Sequence, residues 1–182
     1  AVKFMPGGSL RDRVGKLSWR EAVKIVIYLA YVLDDLHRRG VRHLDIKPEN
    51  ILFDEHGRPY LTDFGLARVA LKASQHSGFA GTIFYAAPEQ LSREYGPIGD
   101  HTDQYQLAAV LYELLTGRPP FTGSAFEEIA AKIKTELPMP PHVLNPKVPK
   151  CVSHVVMKAL SKRPEERYKN VFAFGEALKR CL

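Results

Sequence analysis

Cysteine and long apolar runs are what this sequence has least of. Only two of its 182 residues are cysteine, Cys151 and Cys181. They match no metal-binding or redox spacing, which excludes a zinc site or a disulfide framework read from spacing alone. The expectation is two reduced thiols in a cytosolic protein. The longest uninterrupted apolar stretch, Ile25 to Leu33, has nine residues and ends at Asp34 and Asp35. A membrane-spanning helix needs about 20, so none is expected, and no secretory leader pattern opens the chain. Internal repeats and low-complexity tracts are also missing. With 45% hydrophobic, 10% aromatic and 25% charged residues the composition is that of an ordinary globular domain, which disfavours disorder, collagen-like repeats and coiled coil. The length predicts one domain, large enough to bury roughly 70% of the surface its unfolded chain exposes. The first residue is Ala1 and not Met, so the chain is expected to be a piece of a longer polypeptide.

The net charge of +6 is unevenly spread. Residues 1–47 hold ten Lys and Arg against five Asp and Glu; residues 48–142 hold seven against twelve; residues 143–182 hold nine against three. A nucleic-acid binder would carry a basic stripe interleaved with exposed aromatics. Here the basic residues follow helix-like patterns and read as solvated helix faces, so no nucleic-acid partner is expected. The acidic middle is where the chemistry lies.

Ser18-Trp19-Arg20-Glu21 reads as a capping box. Behind it Ala22, Ile25, Val26, Leu29, Ala30, Leu33 and Leu36 keep the helical period, and Gly40 supplies a stop. Ile51-Leu52-Phe53 and Tyr60-Leu61-Thr62 flank Asp54-Glu55-His56-Gly57, which is hairpin chemistry. Residues 66–86 lack a period and read as a long, functional loop. From Asp103 to Leu115 the apolar positions cover most of the helix circumference, which predicts a buried helix ended by Gly117 and Pro119-Pro120. Ser124-Ala125-Phe126-Glu127 reads as a second capping box, opening a helix to about Lys134. A proline-rich connector and two more helices, near 151–161 and 170–181, complete a mainly α fold with one small β-hairpin.

The chemistry surrounds that hairpin. His43-Leu44-Asp45-Ile46-Lys47-Pro48-Glu49-Asn50 precedes it and Asp63-Phe64-Gly65 follows it. Folding one short hairpin could gather the oxygens of Asp45, Asn50 and Asp63. Hard cations such as Mg²⁺ take one or two such ligands and leave the rest of the shell to phosphates. A remaining carboxylate can orient a hydroxyl nucleophile, and a nearby Lys can offset charge on a transferred phosphoryl group.

These residues resemble the eukaryotic-type protein kinases, in the catalytic loop at 43–50, the Asp63-Phe64-Gly65 triplet and the Ala87-Pro88-Glu89 triplet. Lys47-Pro48-Glu49-Asn50 and Gly81-Thr82-Ile83-Phe84-Tyr85 are similar to the serine/threonine members, and Tyr85-Ala86-Ala87-Pro88-Glu89-Gln90 to bacterial ones. The resemblance implies the helical C-terminal lobe of the kinase fold across residues 1–182, with a hinge at 1–9 and an activation segment at 63–89. It implies ATP and Mg²⁺ as cofactors, a protein Ser/Thr substrate and a cytoplasmic location. It makes Asp45 the catalytic base, Lys47 a γ-phosphate contact, Asn50 and Asp63 the Mg²⁺ ligands, and Thr82 a residue steadying Asp45 and Lys47. Phe4 and Met5 fall in the adenine-binding hinge and Leu52 on the floor of the adenine pocket. Asp103 would anchor the backbone of the catalytic loop, and Arg167 would pair with Glu89.

Leu44 stands where most members have an Arg that receives an activation-loop phosphate. Phosphorylation of Ser74 or Ser77 is therefore expected to be dispensable, and a dead Ser74→Ala/Ser77→Ala enzyme would contradict this. Ala108 replaces a common Gly. No Gly-rich phosphate loop, V-A-I-K lysine or partner Glu helix occurs among the 182 residues, so an N-terminal lobe is absent and the chain alone is expected to be inactive. The missing lobe is expected as a partner, and the apolar cleft face as a surface for dimerisation. Two other readings compete: a pseudokinase or regulatory docking module, and a small-molecule phosphotransferase, which Lys47 and the Ala87-Pro88-Glu89 triplet oppose.

Overall fold

A computed structural model describes residues 5–64 and 81–182, with the side chain of Thr82 outside that set. Local chemistry sets the longest helix, α1 (Trp19–Arg38). The Ser18 N–H donates to the Glu21 carboxylate at 2.8 Å, and the Glu21 N–H donates to Ser18 Oγ at 3.3 Å. Two otherwise free helix-start donors are thereby satisfied. At the other end Gly40 takes φ 75°, its N–H meets the His37 carbonyl, and the Val41 N–H meets the Leu36 carbonyl. That is a Schellman stop, and the left-handed residue at its centre favours glycine.

The hairpin pairs β1 (Ile51–Phe53) with β2 (Pro59–Leu61), Ile51 opposite Leu61 and Phe53 opposite Pro59. The second strand starts one residue earlier than the apolar run suggests, because the Asp54 carboxylate closes the turn by accepting from the His56 and Arg58 N–H groups. Residues 7–9 run along β1: the Gly7 N–H meets the Phe53 carbonyl, and the Phe53 N–H meets the Gly8 carbonyl, both at 2.9 Å. The approach is so close that a Cβ on Gly7 would lie 2.6 Å from Phe53 Cβ.

The remaining α-helices among the described residues are α2 (Pro88–Leu91), α3 (Asp100–Thr116), α4 (Phe126–Thr135), α5 (Pro141–Leu144), α6 (Lys150–Ala159) and α7 (Val171–Lys179). α3 is the centre of the core, buried from Thr102 to Leu115, as its all-round apolar pattern requires. It begins at Asp100, three residues before the expected start at Asp103. α1 packs against α3 on one side and α7 on the other, and the α1–α7 approach is close: a Cβ on Gly175 would lie 3.1 Å from Ala30 Cβ. A smaller cluster of Ile83, Phe121, Ile129, Ala130 and Ile133 seats α4 beneath residues 81–85.

Two expectations are corrected. The cap of α4 is not the Ser124–Glu127 box: Ala125 is the N-cap residue, and Ser124 donates from its N–H and Oγ to Glu128. Placing Phe126 in the first turn, with its ring against the smaller cluster, shifts the helix start by one. Cys151 and Cys181 are not two reduced thiols but form a disulfide, their Cα atoms 5.7 Å apart. The packing of α6 against α7 brings the start of one helix beside the end of the other, a proximity that sequence spacing does not encode.

One buried group breaks the pattern of satisfied polar atoms. Tyr105 Oη in α3 is the buried side-chain polar atom without a hydrogen-bond partner among the described residues. Burial pushes its phenol pKa upward. Tyr105→Phe removes that unpaired hydroxyl and is expected to raise stability by up to about 1 kcal/mol in urea unfolding. A loss larger than about 1 kcal/mol would show that the hydroxyl has a partner.

Candidate active site

The 43–50 loop has neither helix nor strand before Pro48, so its backbone groups need side-chain partners. Asp103, one turn into α3, supplies the first set. Its Oδ2 accepts the His43 N–H at 2.9 Å and its Oδ1 accepts the Leu44 N–H at 2.7 Å, while His37 Nε2 lies 2.7 Å from Oδ2. The loop bends sharply here: Leu44 has φ 64°, a left-handed conformation that costs a branched side chain roughly 1 kcal/mol or more.

His43 is the hub of this bend. Its Nε2 meets the Thr62 carbonyl at 2.8 Å, and its Nδ1 lies 3.2 Å from the Asp45 N–H. Those contacts fit a neutral ring with the proton on Nε2. Burial lowers the His43 pKa, against the opposing pull of the Thr62 carbonyl and of Asp103, Asp45 and Asp63. The Phe64 ring packs against it at a tilt, with centroids 4.5 Å apart. The sequence drew attention to His43 only as a neighbour of Asp45; the structure makes it the strut joining the two ends of the hairpin.

Three of the expected residues come together on the loop. Asp45 is buried, with Oδ2 3.1 Å from Asn50 Nδ2 and 3.8 Å from Lys47 Nζ. Asn50 Nδ2 also donates to the Asp45 carbonyl at 2.8 Å. Both bonds use the amide nitrogen and leave the amide oxygen as the atom a cation would take. Asp63 is exposed at the end of β2 with φ 60°, a second left-handed residue, and its charge reaches His43. An exposed carboxylate and a committed amide are a donor set that suits a hard cation whose shell is completed by phosphate oxygens. Met5 is half-buried in the segment leading to the 7–9 pairing, which bridges Ser9 to Leu52, so Met5 and Leu52 belong to neighbouring stretches. Phe4, the Thr82 side chain, Ser74 and Ser77 lie outside the described residues.

An ionic cluster beside the loop was not foreseen. Arg11 donates from Nε to Glu49 at 2.8 Å, from one terminal nitrogen to Glu113 at 2.7 Å, and from the other to Tyr85 Oη. Tyr85 Oη in turn donates to Glu113. Burial opposes the Arg11 charge, but its bonds to Glu113 and Glu49 outweigh that and raise its pKa; burial and Glu113 also raise that of Tyr85. The cluster joins the 10–13 turn, the catalytic-type loop, α3 and the 81–85 turn. Its sequence signal was Glu113, an acid in the apolar second half of a buried helix.

Farther out, Arg167 and Glu89 pair as the resemblance implies. Both guanidinium nitrogens meet both carboxylate oxygens at 2.8 Å, with no side-chain exposure. The pair ties α2 to the turn before α7.

Comparison with known proteins follows the same lines. The family model described as protein kinase domain matches residues 1–178. The chain is 37% identical over 180 residues to a probable serine/threonine-protein kinase PknB of Bifidobacterium longum, covering 95% of this chain and 26% of that protein. It is 38% identical over 158 residues to the serine/threonine-protein kinase PknE of Mycobacterium tuberculosis, covering 86% of this chain and 27% of that protein. The chain thus spans about a quarter of the length of these curated relatives. A crystal structure of Rad53 residues 1–466 in complex with AMP-PNP superposes with a TM-score of 0.77 at 25% identity, covering 95% of this chain and 44% of that one.

Proposed function

The chain belongs to the protein kinase domain family, and on that footing we propose that it is the C-terminal lobe of a serine/threonine kinase. The whole protein would move the γ-phosphate of ATP to Ser and Thr hydroxyls of protein substrates. The observation that carries this reading is the Asp45–Asn50–Lys47 arrangement on a loop held by Asp103.

Asp45 would accept the proton of the attacking hydroxyl. Its buried position and its Asn50 bond fix which way the carboxylate faces. Lys47, 3.8 Å away, would face the transferred phosphoryl group. Asn50, through its amide oxygen, and Asp63 would hold Mg²⁺; when bound, the ion supplies charge neutralisation on the phosphates. Thr82 would steady Asp45 and Lys47, and Phe4, Met5 and Leu52 would contact adenine. Leu44 carries no charge to receive an activation-loop phosphate, and three side chains hold its backbone without one, which supports activity independent of Ser74 and Ser77. The same Leu44 is the observation that favours the pseudokinase reading; the presence of Asp45, Asn50 and Asp63 in the sequence weighs against it.

Among the described residues no helix is long and apolar enough to cross a membrane. A cytoplasmic site for the reaction goes with ATP as co-substrate. Dimerisation through the face carrying Met5 and Leu52 belongs to the same reading, and a strictly monomeric light-scattering profile would contradict it.

The test is a phosphorylation assay on the full gene product with Mg-ATP and a basic protein acceptor. Phosphoserine or phosphothreonine in the acceptor is expected. No transfer to any protein acceptor, with Mg-ATP bound, would overturn the enzyme reading in favour of the docking module.

A further inference from the structure

Asp103 restrains only the N-terminal side of Asp45, yet the loop is ordered on both sides. The remaining restraint comes from two glutamines far apart in sequence. Gln106 lies one turn after Asp103 on α3, so both side chains project from one face toward the loop. Its Oε1 accepts the Ile46 N–H at 3.0 Å, and its Nε2 donates to the Leu44 carbonyl at 3.2 Å. Gln90, the residue after Glu89 in α2, donates from Nε2 to the same Leu44 carbonyl at 3.1 Å. Its Oε1 accepts from Gln106 Nε2 at 3.0 Å and from the Ala87 N–H at 2.9 Å.

From the Leu44 N–H to the Ile46 N–H, every backbone polar group is bonded to a side chain: Asp103, the two glutamines, His43, Asn50 and again Gln106. Gln106 touches the residue on each side of Asp45 and is 1% exposed, so its amide has no competing water. A carboxylate in its place would lose the donor to Leu44, and a hydrocarbon would leave the Ile46 N–H unpaired in the core. The arrangement also overcomes the strained φ of Leu44, since a left-handed leucine persists only where its surroundings over-determine it.

We propose that Gln106 and Gln90 are positioning residues for Asp45: an amide pair that locks the peptide groups on either side of the base and couples its orientation to α2. The proposal rests on the kinase reading of Asp45. Neither residue touches a reacting atom; both act through the backbone. Because Gln90 sits at the end of the activation segment, a shift of α2 would be felt at Leu44 and hence at Asp45.

Two measurements test it. Amide hydrogen exchange on this 182-residue chain reads the geometry: Gln106→Ala is expected to speed exchange at Ile46 about tenfold while leaving Leu44, held by Asp103, unchanged. Unchanged protection at Ile46 overturns the proposal. Steady-state kinetics on the full gene product read the consequence. Gln106→Ala, and more mildly Gln90→Ala on the half-buried partner, are expected to lower kcat by about 10–100-fold and about 3–10-fold, with KM for Mg-ATP within about twofold of wild type. A structural defect alone would lower the active fraction, visible as loss of folded protein by circular dichroism, with Ile46 and Leu44 exchange rising together. Active wild type with both variants at unchanged kcat overturns the positioning role and leaves the kinase reading intact. Inactive wild type overturns the kinase reading and this role with it.

Discussion

Arg167→Ala is expected to cost about 3–5 kcal/mol of stability, a large fraction of what a domain of this size has. All five guanidinium N–H donors are used: two on Glu89 at 2.8 Å, and the others on the carbonyls of Ser161, His101 and Lys162 at 2.9–3.0 Å. The partner is equally committed, since Glu89 Oε1 also accepts from Thr102 Oγ1 at 2.9 Å. Removing the arginine strands a carboxylate with no exposure and leaves three carbonyls short of a donor. Lysine cannot substitute, because one ammonium has three donors and no planar fork. The cost comes from the stranded charge and not from a large net value of the ion pair. Glu89→Leu/Arg167→Met, which removes both charges together, is therefore expected to recover most of the loss. Urea unfolding with m unchanged and the midpoint lowered is the expected record for the single variant. A midpoint equal to wild type would mean that Glu89 takes up its proton or finds another cation, and the tie between α2 and the 164–167 turn would have to be abandoned as a source of stability.

What the sequence made legible divides by distance along the chain. Ser18 with Glu21, Gly40 and Gly117 act within one helical turn, and their residue types alone mark both ends of α1 and the C-terminal end of α3. Asp45, Asn50, Asp63, Asp103, Glu89 and Arg167 were legible through a motif pattern, even though Arg167 and Glu89 are 78 residues apart. Pairings that belong to no motif were invisible. Arg11 meets Glu113 across 102 residues and Gln106 meets Leu44 across 62, and nothing local in either stretch marks the partner. One weak signal existed: Gln104, Gln106 and Glu113 are polar residues in a helix buried all round, and buried polar side chains must find partners. Gln104 satisfies that requirement by bonding both backbone groups of Tyr168 at 3.0 Å. The Ser124 cap went wrong by one residue for a related reason. Ser124 can reach Glu127 or Glu128, and the choice was made by where Phe126 packs, a tertiary fact.

Asp45→Asn in the full gene product is expected to cut phosphate transfer by about 10²–10⁴-fold while leaving Mg-ATP affinity within a few-fold. The substitution is nearly isosteric, and the asparagine oxygen can still accept from Asn50 Nδ2, which lies 3.1 Å from Asp45 Oδ2 in the native loop. The backbone locks at Leu44 and Ile46 do not involve the side chain at 45, so the loop should hold its shape. What the amide cannot do is take a proton or carry the negative charge that faces Lys47 at 3.8 Å. The substitution leaves Asn50 and Asp63, the proposed metal ligands, unchanged, so nucleotide binding should not weaken. That outcome would separate Asp45 from Asn50 and Asp63, the proposed Mg²⁺ ligands, whose loss would act on Mg-ATP affinity. The measurement is a rate of transfer to protein acceptor alongside calorimetric Mg-ATP binding for the same preparation. Turnover equal to wild type would remove Asp45 from the role of base and leave it a structural acceptor for Asn50. A parallel collapse of both quantities would place it among the groups that hold the nucleotide.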